Sequence, residues 1–295
     1  MKNLKKSALM ICLFAFAQLF AQNTPEVQFE TMHTETPEAE LQYEYLMAHK
    51  VFLRAKPSVK GKKIGILNIG TPMVLWEKSK NTEQLNGIKS NWYRVTAGTQ
   101  TGWVWGGMIA QKAFGSEADY RVKFVYGLEA SSINEHGIAE NRYQLRAFKN
   151  GHQLDKIVLD SLVSTPCAVE NIGNKGLFNV EDIIKLDVAD KHTGANIGKS
   201  YVFWNNGKFT NIANLMDYSD AFYTKTESFV FPSDMEGTRS TVALKTVIVD
   251  NNMVPESGLL ASQKRHITTA YGWNGYKLSK KGDHRMSNTS VASTN

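Results

Sequence analysis

Apolar and polar residues alternate along much of this chain with a period of two, the pattern of strands that bury one face. The first clear run is Val51-Phe52-Leu53-Arg54, closed by Pro57-Ser58. Next comes Ile64-Gly65-Ile66-Leu67-Asn68-Ile69-Gly70-Thr71-Pro72-Met73-Val74-Leu75. It reads as two apolar strands about a Gly-Thr turn, where Gly70 can take φ > 0 without steric cost. Asn91-Trp92-Tyr93-Arg94-Val95 follows, then a turn-rich gap and Thr101-Gly102-Trp103-Val104. Alternation puts Val51 with Leu53 on one face and Tyr93 with Val95 on another, and it turns Trp103 and Trp105 away from Val104. Five short strands broken by Gly, Pro and Asn predict a small closed barrel over residues 49–112.

A second strand-rich region runs over residues 119–278, after a linker-like Ala113 to Ala118. Tyr120, Val122, Phe124, Tyr126 and Leu128 alternate with Arg121 and Lys123, as in a half-buried strand. Further strands are expected at Tyr143 to Phe148, Lys156 to Val163, Ile183 to Val188, Tyr201 to Trp204, Ser228 to Phe231, Thr241 to Val249 and His266 to Trp273. No long amphipathic helix is expected here. Asn150-Gly151, Asn206-Gly207 and Asn274-Gly275 each offer the two φ > 0 residues of a tight type I′ hairpin. Their unequal spacing argues against a regular repeat. The fold class is mostly β: a small barrel followed by an antiparallel β domain, a sandwich or a propeller-blade-like piece. Residues 279–295 are polar and read as a disordered tail.

The first residues change the compartment. Met1 to Ala21 reads as a signal peptide, with Lys2, Lys5 and Lys6 before an apolar stretch from Ala8 to Phe20. That stretch is too short for a membrane span, and no transmembrane anchor is expected in the mature chain. The destination is the periplasm or the cell surface. Residues 22–48 follow as an acidic leader carrying Glu26, Glu30, Glu35, Glu38, Glu40 and Glu44 without Lys or Arg, with a short helix expected near Pro37 to Met47. The whole chain is formally +6; losing the three signal lysines leaves +3, too little to argue for nucleic acid. Cys12 leaves with the signal, so Cys167 has no intramolecular disulfide partner.

The barrel stretch resembles the bacterial SH3 (SH3b) family. Leu53-Arg54, Gly65 to Val74, Trp92-Tyr93-Arg94-Val95 and Gly102-Trp103-Val104 fit that family's motifs in order. Two positions depart from it. Phe52 stands where the family usually has Asn, and Trp105 where a polar residue is common. With this export signal the chain looks like SH3b proteins of the Bacteroidota. The resemblance implies an extracytoplasmic binding module, often joined to cell-wall enzymes, with peptidoglycan or a wall-associated peptide as ligand. It implies no catalysis, since function lies in sites rather than folds.

The candidate chemistry is sparse. Cys167 is the obvious nucleophile for a wall hydrolase, but Ser164-Thr165-Pro166-Cys167 is not a helix start that would lower a thiol pKa. His192 and His266 have no hydrolase-like neighbourhood. A small buried hydrophobe is the ordinary role of such a thiol. His33, His49, His136, His152, His192, His266 and His284 are scattered without metal-ligand spacing, and Asp187 to Gly194 lacks the oxygens of a calcium loop. No metal, cofactor or enzymatic activity is expected. Aromatic side chains are the better lead. Trp103 and Trp105 opposite Val104, and Trp92 with Arg94 opposite Tyr93, make a candidate shelf for a glycan or peptide. The same tryptophans could instead cover the barrel edge, and the module would then be a structural adaptor docked on an envelope protein.

Overall fold

A computed structural model describes residues 26–31, 42–135, 139–159, 165–189, 196–220, 222–253, 261–281 and 285–292. The expected signal peptide lies outside them. No helix among the described residues is long and apolar enough to cross a membrane. The chain forms two compact units. One comprises Met1–Ala113, Phe124–Gln153 and Val158–Val163; the other comprises Phe114–Lys123, Leu154–Ile157 and Ser164–Asn295. This division cuts across the expected boundary near Asp119.

The first unit is built on strands β1 (Glu26–Val27), β2 (Glu44–Tyr45), β3 (Val51–Arg54), β4 (Lys63–Leu67), β5 (Pro72–Leu85), β6 (Ile88–Ala97) and β7 (Gln100–Trp105). They form one curled sheet in the order β2-β5-β6-β7-β3-β4, with β1 parallel to β6. Alternation places the core as expected. Val51, Leu53, Leu67, Met73, Leu75, Tyr93, Val95 and Val104 are buried together.

Two expectations about residues 22–48 fail. Glu44–Tyr45 form a strand paired with Pro72 and Met73 rather than a helix. The described parts of the acidic leader are also partly packed: Glu26 and Glu30 stay exposed while apolar neighbours are buried. Val27 and Leu46 are buried, Ser90 Oγ donates to the Val27 carbonyl at 2.7 Å, and the Phe29 amide donates to Tyr93 Oη at 2.8 Å. The glutamates masked an apolar set: Phe29 and Leu46 pack with the barrel core, and Tyr45 and Met47 with a second core of this unit. Burial raises the Glu44 carboxyl and Tyr93 phenol above their ordinary pKa values; for Tyr93 the Phe29 amide opposes the rise.

Past the barrel come β8 (Lys112–Gly115), β9 (Val122–Ile133), β10 (Ala139–Lys149) and β11 (His152–Leu159), a sheet in the order β11-β10-β9-β8. Ala113 is thus in a strand, not a linker, and Tyr120 is 82% exposed outside β9. Val125 and Phe148 join Met47, Ile69 and Ala110 in a second core of the first unit. Gly70, at φ +72, lies against that Phe148; a Cβ there would stand 1.9 Å from the ring. Gly70→Ala is therefore expected to lose about 1–2 kcal/mol from the left-handed backbone alone, with the clash added. A urea midpoint unchanged by Gly70→Ala would contradict this packing.

The second unit stacks two antiparallel sheets. One holds β12 (Thr165–Asn171), β13 (Asp182–Ala189), β14 (Asn196–Asn205) and β15 (Lys208–Met216) in sequence order. The other holds β16 (Tyr218–Ser219), β17 (Tyr223–Val230), β18 (Thr241–Met253), β19 (Ala261–Trp273) and β20 (Leu278–Lys280), with β21 (Arg285–Ala292) also on β19. Ile183, Tyr201 and Phe203 from the first sheet meet Phe231, Val242 and Trp273 in one core, the arrangement of a sandwich. The expected disordered tail is corrected. Leu278–Lys280 pair with Tyr271–Trp273, and Arg285–Ala292 pair with Ala261–Thr268. Low hydrophobicity concealed a strand whose partner is the long edge of β19.

Candidate functional site

The four residues singled out for binding sit on two paired strands. Trp92 lies opposite Trp105, and Arg94 opposite Trp103, in the β6–β7 register. Residues two apart share a face, so the four form one patch, turned away from the core residues Tyr93 and Val104. The predicted alternation holds, but its expected consequence for exposure holds for only half the patch. Arg94 is open to solvent, 4.0 Å from Glu77, and Trp103 is half-buried. Trp92 and Trp105 are buried, at 3% and 4% exposure. A barrel strand has a core face and an outer face. Here the outer face is buried as well at Trp92 and Trp105.

Beside them a cavity of about 200 Å³, open to solvent, is lined by Trp92, Trp105, Phe52, Val59, Leu85 and Met108. Trp105 is fixed within its wall. Its Nε1 donates to the carbonyls of Glu83 and Ser90, both at 3.2 Å, and a Cβ on Gly107 would stand 2.2 Å from its ring. Trp92 Nε1 is buried with no hydrogen-bond partner among the described residues. So is Glu83 Oε2, while Glu83 Oε1 accepts the Val59 amide at 3.1 Å. Buried polar atoms left unpaired are uncommon in proteins and call for an explanation. Of the two, the Trp92 atom belongs to a residue that lines the cavity.

The ionisable side chains in the lining itself are all basic, with the Glu83 carboxylate held against the Val59 amide beside them. His49, Lys50 and Arg54 line it. The run His49 to Lys63 contains Lys50, Arg54, Lys56, Lys60, Lys62 and Lys63 and no acidic residue. Arg54 Nη1 donates to the Gly61 carbonyl at 2.8 Å, and Lys63 Nζ stands 3.7 Å from the centre of the Phe52 ring. The mild net charge of the chain hid this local concentration. Phe52 and the basic run were missed as site residues, although the run was legible as six cations without a counter-charge.

The remaining candidates stay apart from this site. The Cys167 backbone lies in β12 at the register shift between Pro166 and Ala168, in a strand rather than at a helix start. Among the described residues no three His, Cys, Asp or Glu side chains group as a metal site. Asp187 of the calcium-like stretch is held by Lys185 Nζ at 3.0 Å, and residues 190–195 lie outside the described set.

Residues 49–110 match the model of the family described as bacterial SH3 domain. No curated protein and no solved structure matches the chain.

Proposed function

We propose that this chain, with a bacterial SH3 domain at residues 49–110, is an exported, non-catalytic binding protein that takes peptidoglycan or a wall-associated peptide. The observation that carries this reading is the place of Phe52 and Trp105. These two departures from the family pattern line one cavity, together with Trp92. Its volume falls below the roughly 300–1,000 Å³ of pockets for drug-sized ligands. It suits one residue or one chain end of a longer polymer. The basic rim favours an end that carries a carboxylate, as a peptide stem does. Arg94 and Trp103, accessible on the same face, extend the contact beyond the cavity.

Co-sedimentation of the mature protein with purified sacculi tests this. Wild type is expected to pellet. Phe52→Asn combined with Lys50→Glu is expected to bind at least tenfold more weakly, and both positions are accessible enough for the fold to survive. Absence of wild-type binding, or full binding by the folded variant, would remove the wall ligand from this cavity. One different observation favours an adaptor instead. Ile64 and Ile66 are 46% and 59% exposed on β4, the last strand in the sheet order. A protein partner seated there would leave sacculus binding at background.

A further inference from the structure

The second unit carries a cavity of its own. The β14–β15 turn and the β19–β20 turn come from different sheets, yet both reach one space of about 250 Å³. These are the stretches Trp204-Asn205-Asn206-Gly207-Lys208 and Trp273-Asn274-Gly275-Tyr276-Lys277, alike in sequence. Their backbones differ. Asn206 and Gly207 take φ 48° and 73°, as a type I′ turn requires, whereas only Gly275 is left-handed in the second, at φ 92°. There Asn274 Oδ1 instead accepts the amides of Tyr276 and Lys277 at 3.0 and 2.9 Å. Both turns are anchored. The Asn206 amide donates to Glu181 at 3.1 Å, and Trp273 Nε1 donates to the Phe178 carbonyl at 2.8 Å. Gly275 is packed so closely that a Cβ would stand 2.8 Å from Asn179 Nδ2.

The lining divides by chemistry. Phe203 and Trp273, in edge contact at 5.1 Å, supply a buried aromatic floor, and Tyr276, 79% exposed, supplies an open ring at the mouth. Asn205, Asn206 and Thr210 add two amides and a hydroxyl, none with a side-chain partner among the described residues. The lining contains one charge, Lys208, and Asp155 lies 3.2 Å from its Nζ. With its single charge already paired, the lining offers an ion no unpaired counter-charge. Amides and a hydroxyl, each able to donate and accept, match the hydroxyls of a polyol. Flat aromatic surface matches its C–H face.

We propose that the sandwich holds a second ligand site, formed by these two turns, for one ring of a neutral carbohydrate. It stands independently of the barrel cavity and its ligand. The test is ligand-observed NMR with the full mature chain and N,N′-diacetylchitobiose, cellobiose and maltose, with glucuronic acid as the anionic control. At least one neutral disaccharide is expected to bind saturably and ahead of glucuronic acid. Tyr276→Ala and Thr210→Ala, both at exposed positions, are each expected to weaken it at least fivefold, and Gln84→Ala, exposed in the barrel, less than twofold. The proposal is overturned if none of the three disaccharides binds, if glucuronic acid binds better, or if Tyr276→Ala and Thr210→Ala bind like wild type.

Discussion

Trp105→Ala is expected to cost about 3–5 kcal/mol, the range for truncating a fully packed large aromatic. Three losses combine. The indole leaves a void where it now fills the space above Gly107 and faces Trp92 across the strands. The carbonyls of Glu83 and Ser90 lose their shared donor. The empty space would also merge with the existing cavity, so collapse around it is hindered. Trp103→Ala provides the contrast. Trp103 is on the same face of the same strand but half-buried, and about 1 kcal/mol or less is expected by its smaller burial. Urea unfolding of both variants reads the difference. Equal costs for the two would mean that Trp105 is not enclosed as described. The comparison also guards the binding test, because loss of ligand by Trp105→Ala alone could be loss of fold.

Asp182→Ala is the second large effect. Asp182 is fully buried. Its Oδ2 accepts the Ser116 hydroxyl at 2.5 Å, and its Oδ1 accepts the Glu117 amide at 2.8 Å and Asn171 Nδ2 at 2.7 Å. Ser116 Oγ in turn accepts the amides of Ala118 and Asp119. One carboxylate therefore fixes the entire turn from Ser116 to Asp119 onto β12 and β13. Asn171 Nδ2 keeps the Gly115 carbonyl at 3.0 Å, so the loss falls on the buried Ser116 hydroxyl and the part-buried Glu117 amide. At about 1–3 kcal/mol for a buried group left unpaired, removal should cost roughly 2–3 kcal/mol. Asp182→Asn keeps one acceptor oxygen and should lose less than the alanine. Amide exchange at Glu117 gives a local readout: slow in wild type, fast in Asp182→Ala. Wild-type protection of that amide in Asp182→Ala would mean the network does not hold the turn.

The period of two was the legible part of this fold, because a strand's face assignment is local. Leu53, Tyr93, Val95 and Val104 could be placed in the core from their neighbours alone. What lies over the other face is decided by residues far along the chain. Nothing near Trp92 or Trp105 announces that both will be buried on the outer face. Exposure was therefore overestimated while orientation was not. The N-terminal segment failed for a related reason. Six glutamates dominate its composition, yet Val27, Phe29 and Leu46 provide its contacts. Turns were read unevenly. Asn150-Gly151 and Asn206-Gly207 adopt the expected positive φ pair, as does Asn86-Gly87 at the β5–β6 hairpin, which the same dipeptide signal would have found. At Asn274-Gly275 the side-chain hydrogen bonds of Asn274 select another turn. Asp182 was invisible as a structural centre, since its partners lie 65 and 66 positions upstream and 11 positions back along the chain.

The polar C-terminal strand bears on how the protein behaves at high concentration. A thirteen-residue strand such as β19 with one side unpaired would present a row of free amides and carbonyls, a template for another chain. Here β20 covers Tyr271–Trp273, the Lys281 amide reaches the Ala270 carbonyl, and β21 covers Ala261–Thr268. The strand left outermost, Arg285-Met286-Ser287-Asn288-Thr289-Ser290-Val291-Ala292, is rich in serine, threonine and asparagine and poor in the large apolar residues that favour stacking. Removal of this strand is therefore expected to open the β19 edge over Ala261–Thr268 and to favour self-association.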